Sequence, residues 1–493
     1  MQSIWQMEEF PPLKKPEPLR GTHRTDVAVI GAGMAGVLTA YQLQQRGARV
    51  VLLERGRLGG GVTGGTTAKI TSQHRLIYDR LITEFGEERA GQYAQANQRA
   101  IRQYEALIRE QGIDCDFQKC PAYVYARDDT QKLEKEAAAA VRLGIPATLT
   151  GRTELPFSVA GALHFPEQAR FDPLRFLHAL AAGLTIYEHL PVWAIEGNSV
   201  VFHGGRLRAK AVVIATHYPI VNTPGYYFLR MHQQRSYVLA LMGAPAMEGM
   251  YLDQEEEGLS FRPAGECLLV GGAGHRTGKT TEGGNYGRLI RQTSALYPQA
   301  SVRTMWSAQD CITADGVPFI GEYAPSTPRI FVATGFNKWG MTGSMVAATL
   351  LADRITGVEN SCAPVFSPRR FPLRASIKTV AADSAQAVAG LSGQILHTAR
   401  RTLEDLAPGQ GGIVTHDGKK VGAYKDEEGK VYLVSTRCPH LGCELQWNPE
   451  EKTWDCPCHG SRFDYRGRLL DTPARKGNVN RRAARANGIV RNK

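Results

Sequence analysis

Two short boxes near the end of the chain carry the residue types that hold metals. Cys438-Pro439-His440-Leu441-Gly442-Cys443 and Cys456-Pro457-Cys458-His459-Gly460-Ser461 are separated by twelve residues, and each offers Cys and His at close spacing. Two hairpin tips facing each other could give a binuclear iron centre thiolates on one iron and imidazoles on the other. A zinc site is the alternative reading of four Cys and two His. Zinc knuckles, however, favour C-x2-C pairs, whereas one box here is C-x-H-x2-C and the other C-x-C-H followed by Gly-Ser.

A second chemistry lies near the start. Residues 25–55 read as strand, turn, helix, strand: an apolar strand over 26–30, the turn Gly31-Ala32-Gly33-Met34-Ala35-Gly36 into a helix, and a strand over 48–53 ending at Glu54. The glycines permit a tight turn, close approach of backbone to a pyrophosphate, and close packing of helix on strand. The helix N-terminus offers unpaired N–H groups to phosphate. Glu54, eighteen residues beyond Gly36, can accept hydrogen bonds from a ribose hydroxyl. This context marks a dinucleotide site without choosing between FAD and NAD.

Both C-terminal boxes, the Gly after each group, and the flanking Trp454-Asp455 and Phe463-Asp464 resemble Rieske proteins of the disulfide-containing class. The resemblance implies a [2Fe-2S] cluster with thiolates from Cys438 and Cys456 and imidazoles from His440 and His459. It also implies a disulfide between Cys443 and Cys458, and electron exchange through the histidines as the exposed edge. That class raises its potential with a Ser and a Tyr hydroxyl near the cluster. Ser461 matches the first, but Phe463 stands where the Tyr would be. The expected potential is therefore lowered within the Rieske range of about −150 to +300 mV.

The loop over 55–71, with Arg55, Gly61, Thr63, Thr66, Thr67 and Lys69, resembles the one after the ribose-binding Glu in FAD enzymes of the D-amino-acid-oxidase-like (DAO) superfamily. The resemblance implies FAD, and it continues in order along the chain. Phe171-Asp172-Pro173 leads into a helix over 174–184. Residues 186–192 resemble the strand whose Val, here Val192, contacts adenine through its backbone, and 211–217 the segment closing over the dinucleotide. Strands over 236–241 and 266–270, with a Gly-rich turn to His275, would roof the flavin in a mixed sheet. Tyr237 and His275 are pocket candidates there, although such residues more often serve as core or turn. A strand over 329–334, the turn holding Gly335, Asn337, Lys338, Trp339, Gly340 and Met341, and a helix over 343–355 complete the pattern. In the superfamily that helix N-terminus faces the flavin N1 and C2 carbonyl, where negative charge accumulates.

One departure bears on substrate. The segment 310–321 resembles R-P-x-T-P-D-G-x-P-x-x-G, yet Asp310 stands where many amino-acid oxidases place the Arg that clamps a carboxylate. An anion cannot perform that clamp. Either a carboxylate is held elsewhere, or the substrate presents a cationic or neutral group. Lys69, Lys338 and His74 are the candidate proton acceptors, and a lone His is more often structural.

These readings set the expected organisation of the 493 residues. An N-terminal extension (1–24) precedes an α/β, Rossmann-like DAO-type FAD domain with a mixed-sheet substrate domain (25–370). A helical linker (371–404), with a helix over 376–400, leads to a small all-β Rieske domain (405–478) and a basic tail (479–493). Amphipathic helices are expected over 94–111 and 133–143. No run of eighteen apolar residues could span a bilayer, and residues 1–24 hold four prolines and no apolar core, unlike a secretory signal. A cytoplasmic location is the default. Of the net charge of +12, seven positive residues follow Asp471 without interleaved aromatics, so nucleic acid is not an expected partner.

The expected activity is oxidation of a small amine or amino-acid-like substrate at FAD. Electrons would pass singly through the cluster to an external acceptor, either protein or quinone. Two other readings stand beside it: a reductase whose cluster feeds the flavin from a donor, and a non-enzymatic electron carrier or redox sensor.

Overall fold

The computed structural model describes residues 1–279, 281–370 and 401–478. The helix expected over 376–400 and the tail from 479 lie outside the described residues. The chain forms two compact units.

The first unit comprises Met1–Gly225, Ser236–Gly274 and Tyr286–Ala375. Its first sheet holds five parallel strands in the order Ile330–Thr334, Gly205–Ile214, Gly21–Ile30, Val50–Leu53, Thr185–Tyr187, with Phe319–Glu322 antiparallel at one edge. Strands buried on both faces need near-continuous apolar runs. Val27, Ala28, Val29 and Ile30 meet that need, set in register between Ala211–Ile214 and Val50–Leu53. Helices Met34–Gln45 and Gly340–Thr356 pack together through side chains such as Leu38, Met345 and Ala348, all nearly devoid of exposed surface. The hairpin Val192–Glu196 and Ser199–Phe202 extends from Gly205–Ile214.

The second sheet has nine strands. Eight run in the order Ser301–Thr313, Met231–Met242, Cys267–Arg276, Ser260–Ala264, Met250–Asp253, Gln118–Ala126, Gly161–Arg170, Lys69–Ile70, with Thr148–Thr150 paired to Gly161–Arg170. Parallel and antiparallel pairs both occur.

Several expected elements change length, each for a local reason. The strand expected over 186–192 breaks at His189, whose φ of 57° precedes Leu190-Pro191, so Val192 begins a separate strand. Where a Gly-rich turn was expected before His275, the strand runs on from Cys267 to Arg276. Gly271 and Gly272 serve close packing there, because a Cβ would meet Ser260 Oγ at 2.7 Å or Leu259 at 2.9 Å. The helix expected over 94–111 starts at Glu87, where Glu87 and Glu88 favour an N-terminal turn. Its polar Asn97 is buried and donates to the Tyr93 carbonyl at 2.9 Å. The expected helix over 133–143 is Gln131–Arg142, and that over 174–184 is Pro173–Ala181, capped by Asp172 accepting from the Leu174 and Arg175 amides.

The start of the N-terminal extension packs into this unit. Trp5 sits in a short 3-10 turn, Ile4–Met7, with 6% of its surface exposed. Its Nε1 donates to the Thr66 carbonyl at 2.7 Å, and the Ser3 hydroxyl donates to the Gly64 carbonyl.

The second unit comprises Tyr226–Arg235, His275–Asn285 and the described part of Ser376–Lys493. A three-stranded antiparallel sheet, Gly411–His416, Lys419–Lys425 and Val431–Val434, is followed by a four-stranded one, Gln446–Asn448, Thr453–Asp455, Arg462–Asp464 and Leu469–Asp471. Trp447, Trp454, Phe463 and Leu445 make one small core, and Val414, Val421 and Leu433 another. Among the described residues no helix is long and apolar enough to cross a membrane.

Candidate functional site

At the dinucleotide turn the backbone itself forms the walls. Gly31 has a φ of 103°, and a Cβ there would lie 2.5 Å from the Ala215 carbonyl oxygen; at Gly36 it would lie 1.9 Å from that of Gly31. Helix Met34–Gln45 begins at Gly33 without a side-chain cap. The first amides of a helix lack intrahelical partners, so those of Ala35 and Gly36 are donors available to phosphate. The Met34 amide donates to Thr63 Oγ1 at 3.0 Å, which brings the Thr-rich loop against the helix start. Glu54 ends its strand with its carboxylate accepting from the Ala32 amide at 2.8 Å and the Gly56 amide at 2.7 Å. A carboxylate has about four lone-pair sites, so acceptor capacity remains for ribose hydroxyls. A glycine cradle with bare amides at one end and a fixed carboxylate at the other fits FAD.

The rest of the expected FAD set gathers in three places. Thr66 Oγ1 accepts from the Ala68 amide at 3.0 Å, and Thr67 Oγ1 accepts from Lys69 Nζ at 3.2 Å. Arg55 and Gly61 are exposed in the same loop, and Val192 is half-buried at its strand start. In the turn after Ile330–Thr334, Asn337 and Lys338 both have positive φ, 52° and 72°, a costly pair for residues with side chains. Asn337 offsets that cost: its Oδ1 accepts from the Thr313 amide at 2.8 Å, its Nδ2 donates to Gly335, and its amide bonds the Cys311 carbonyl. The turn is thus sewn to the strand carrying Asp310. Trp339, Gly340 and Met341 then begin helix Gly340–Thr356.

The four proposed reacting residues differ sharply. His74 has no nitrogen to spare: Nδ1 is 2.6 Å from Tyr93 Oη, Nε2 is 2.7 Å from the Thr71 carbonyl, and the ring stacks on Trp339 at 4.7 Å. Burial pushes its pKa down to about 3, so it stays neutral. Both its nitrogens thus tie the loop at Thr71 to Tyr93. Lys69 is half-buried, and desolvation together with the nearby Arg262 charge lowers it to about 7. Burial also lowers Lys338, against the opposing pull of Asp310, its acidic neighbour in charge. Asp310 is half-buried on strand Ser301–Thr313. Of the pocket candidates, Tyr237 is core, fully buried edge-on to Tyr286. Cys311, next to Asp310, is a buried thiol.

In the second unit the two boxes fold alike. The Cys438 amide donates to the Cys443 carbonyl at 2.8 Å and the Gly442 amide to the Cys438 carbonyl; the Cys456 amide donates to the Ser461 carbonyl at 2.8 Å and the Gly460 amide to that of Cys456. Gly442 and Gly460 take φ of 85° and 80°, which only glycine adopts cheaply. Cys438 and Cys456 are buried free thiols. A hydrogen bond from Cys456 holds the Cys438 thiol below its ordinary value. The His440 and His459 rings lie 5.0 Å apart, and burial lowers His440 to about 4, the neutral form that ligates metal. Cys443 and Cys458 are bonded through sulfur, with Cα atoms 6.5 Å apart. The sulfurs of Cys443, Cys456 and Cys458 converge within 4.8 Å. Two of those three are spent in the disulfide, so they offer no thiolates. Two thiols and two imidazoles remain, one Cys and one His from each box, and that pairing with a disulfide beside it fits a Rieske cluster.

The histidine edge is less exposed than expected: His459 keeps 5% of its surface, His440 is half-buried, and the Phe228 ring stands edge-on to both imidazoles, 6.1 Å from His440 and 5.7 Å from His459. Sequence reasoning had no handle on Phe228, which precedes the boxes by some two hundred residues. It also missed Trp5 and Ser3, although a lone Trp in a Pro-rich stretch was a usable sign of anchoring.

Comparison with known proteins agrees with this arrangement. The FAD-dependent oxidoreductase (DAO) family matches residues 26–354, and the Rieske [2Fe-2S] domain matches 399–482. The protein YhfW of Bacillus subtilis (strain 168), named as a Rieske 2Fe-2S iron-sulfur protein, is 39% identical over 470 residues, 92% of each chain. Glycine oxidase of Geobacillus kaustophilus is 25% identical over 378 residues, 69% of this chain and 95% of that one. Its crystal structure superposes with a TM-score of 0.61 at 22% identity, covering 71% of this chain and 99% of that one.

Proposed function

The chain belongs to the FAD-dependent oxidoreductase (DAO) family and carries a C-terminal Rieske [2Fe-2S] domain, and from that premise we propose that it is a dehydrogenase for a small amine or amino-acid-like substrate. Its electrons go singly to an external acceptor, a protein or a quinone, in the cytoplasm. Bound FAD supplies a two-electron acceptor for a C–H bond next to nitrogen, and the cluster supplies a one-electron carrier. The observation that carries the reading is a glycine cradle with a fixed Glu54 on the same chain as a buried pair of thiols beside a pair of imidazoles.

The chain's own groups take these roles. The amides at the start of helix Met34–Gln45 hold the pyrophosphate, and Glu54 the ribose. The N-terminus of helix Gly340–Thr356 would offer its dipole to a bound flavin, where negative charge develops on reduction. Cys438 and Cys456 would hold one iron of the cluster, and His440 and His459 the other. Asp310 favours a substrate ammonium over a carboxylate at its position, and Lys338 beside it balances the site's charge. Lys69, deprotonated above about pH 7, accepts the amine's proton so that the neutral amine reacts. Support for C–N chemistry comes from the glycine oxidase similarity. The functional domains span 25–370 and 405–478, joined by 371–404.

Anaerobic mixing of the holoprotein with a panel of amines and amino acids tests this. Bleaching of the flavin absorbance followed by reduction of the cluster is the expected result. If no amine bleaches the flavin, the dehydrogenase reading fails.

A further inference from the structure

Segments far from the boxes in sequence enclose the second box. Gln233 donates from Nε2 to the His459 carbonyl at 2.6 Å and to the Thr472 carbonyl at 2.9 Å. Gly460 lies so close that a Cβ there would meet the Gln233 Cβ at 2.6 Å. Arg235 is 3% exposed and pairs with Glu451 at 2.5 Å; the other oxygen of Glu451 binds Arg462, which also holds Asp455 and Asp471. Arg276 reaches the Cys458 carbonyl at 3.4 Å, and a Cβ on Gly278 would strike the Pro457 backbone at 2.7 Å. Above these contacts, Phe228 stands edge-on to both imidazoles.

We propose that residues 226–235 are a strap that closes the histidine edge of the cluster site, with Phe228 as the cover and Gln233 and Arg235 as its latches. The strap fixes the orientation of His440 and His459, and it removes that edge as a docking face for a soluble redox protein. Three features favour a built cover over chance packing. The ring contacts both imidazoles at once, the latch residues are almost wholly buried, and their bonds end on the ligand box itself or on the ion-pair network flanking it. An external partner then draws electrons from another face. The inference rests on the cluster assignment above, and its test separates the two.

The full-length holoprotein is reduced with dithionite, and the rate of cluster oxidation by ferricyanide is followed for wild type, Phe228→Ala, Phe228→Leu and Gln233→Ala. Ferricyanide oxidises the cluster through the open fraction of the strap. Removing the Gln233 latch should raise that fraction, and the rate, about thirtyfold, the worth of two net hydrogen bonds. Phe228→Ala should be at least as fast, and Phe228→Leu, which keeps an apolar cover, close to wild type. Paramagnetic resonance of the reduced cluster should retain its Rieske form in all four. Wild-type rates in both Phe228→Ala and Gln233→Ala, with the signal intact, overturn the strap alone. Loss of the signal in both, with wild type retaining it, makes these residues part of the cluster's own support and also overturns their reading as a cover. Absence of the signal from wild type overturns the cluster assignment together with the strap.

Discussion

Lys69 has an environment unlike that of an ordinary surface lysine. It lies on the two-residue strand Lys69–Ile70, directly after the Thr66 and Thr67 loop, with the fully buried Arg262 contributing a like charge. Both burial and that charge disfavour its ammonium, so its neutral form is populated above about pH 7. If it accepts the substrate proton, kcat/KM rises about tenfold per pH unit below 7 and levels off above. Lys69→Met should abolish that limb and lower the plateau about a hundredfold or more; an unchanged profile would remove Lys69 from the reaction. Phe463 poses the second question at this scale. It is fully buried on strand Arg462–Asp464 at the cluster unit's core, where a hydroxyl would add a donor. Phe463→Tyr should raise the cluster midpoint potential by about 60 mV, a tenfold change in a one-electron equilibrium; a redox titration that finds no rise would show the ring aimed elsewhere. Which residues gather here was legible where the two boxes resembled Rieske proteins, as with Cys438, His440, Cys456 and His459. It was not legible for His74. Its stack on Trp339 and its bond to Tyr93 depend on the packing of distant segments, and no pattern in sequence encodes them.

Strand, turn and helix at 21–45 follow directly from local sequence: a β-branched run, three glycines, then helix formers. The glycines cannot be exchanged, because a methyl at Gly36 would lie 1.9 Å from the carbonyl oxygen of Gly31 within the same turn. Gly36→Ala should therefore yield protein that lacks the yellow cofactor yet keeps the cluster's resonance signal, since the boxes stand on their own hairpins. Loss of both signals would mean that the damage is global. The N-terminal turn Ile4–Met7 gives a second test at this scale. Trp5 and Ser3 bind the carbonyls of Thr66 and Gly64, and Arg262 lies over the indole at 5.0 Å. Trp5→Ala frees that loop, and FAD affinity, measured by the fluorescence of released flavin, should fall about tenfold, the worth of one hydrogen bond with its packing. Boundaries were the least legible feature here. Periodicity placed helix Glu87–Gln111 and strand Cys267–Arg276, but their true ends depend on capping acids and on glycines that admit a neighbouring strand.

On the scale of the whole chain, one polypeptide holds a carrier that takes electrons in pairs and another that takes them singly, so its capacity is three electrons. That odd number makes coupling measurable. A two-electron substrate added anaerobically should reduce the protein fully at about one and a half equivalents if flavin and cluster share electrons, and at about one if the cluster is isolated from the reaction. In the coupled case the last half equivalent requires electrons to be redistributed between two chains, so the final phase should slow on dilution while the first does not. If cluster reduction depends on protein concentration from the outset, the two carriers communicate only between molecules, and fusing them on one chain confers no kinetic advantage. The reverse flow, in which the cluster feeds the flavin, predicts instead that a one-electron donor reduces the flavin faster than any amine does. The order in which the two absorbances bleach with each donor therefore assigns the direction.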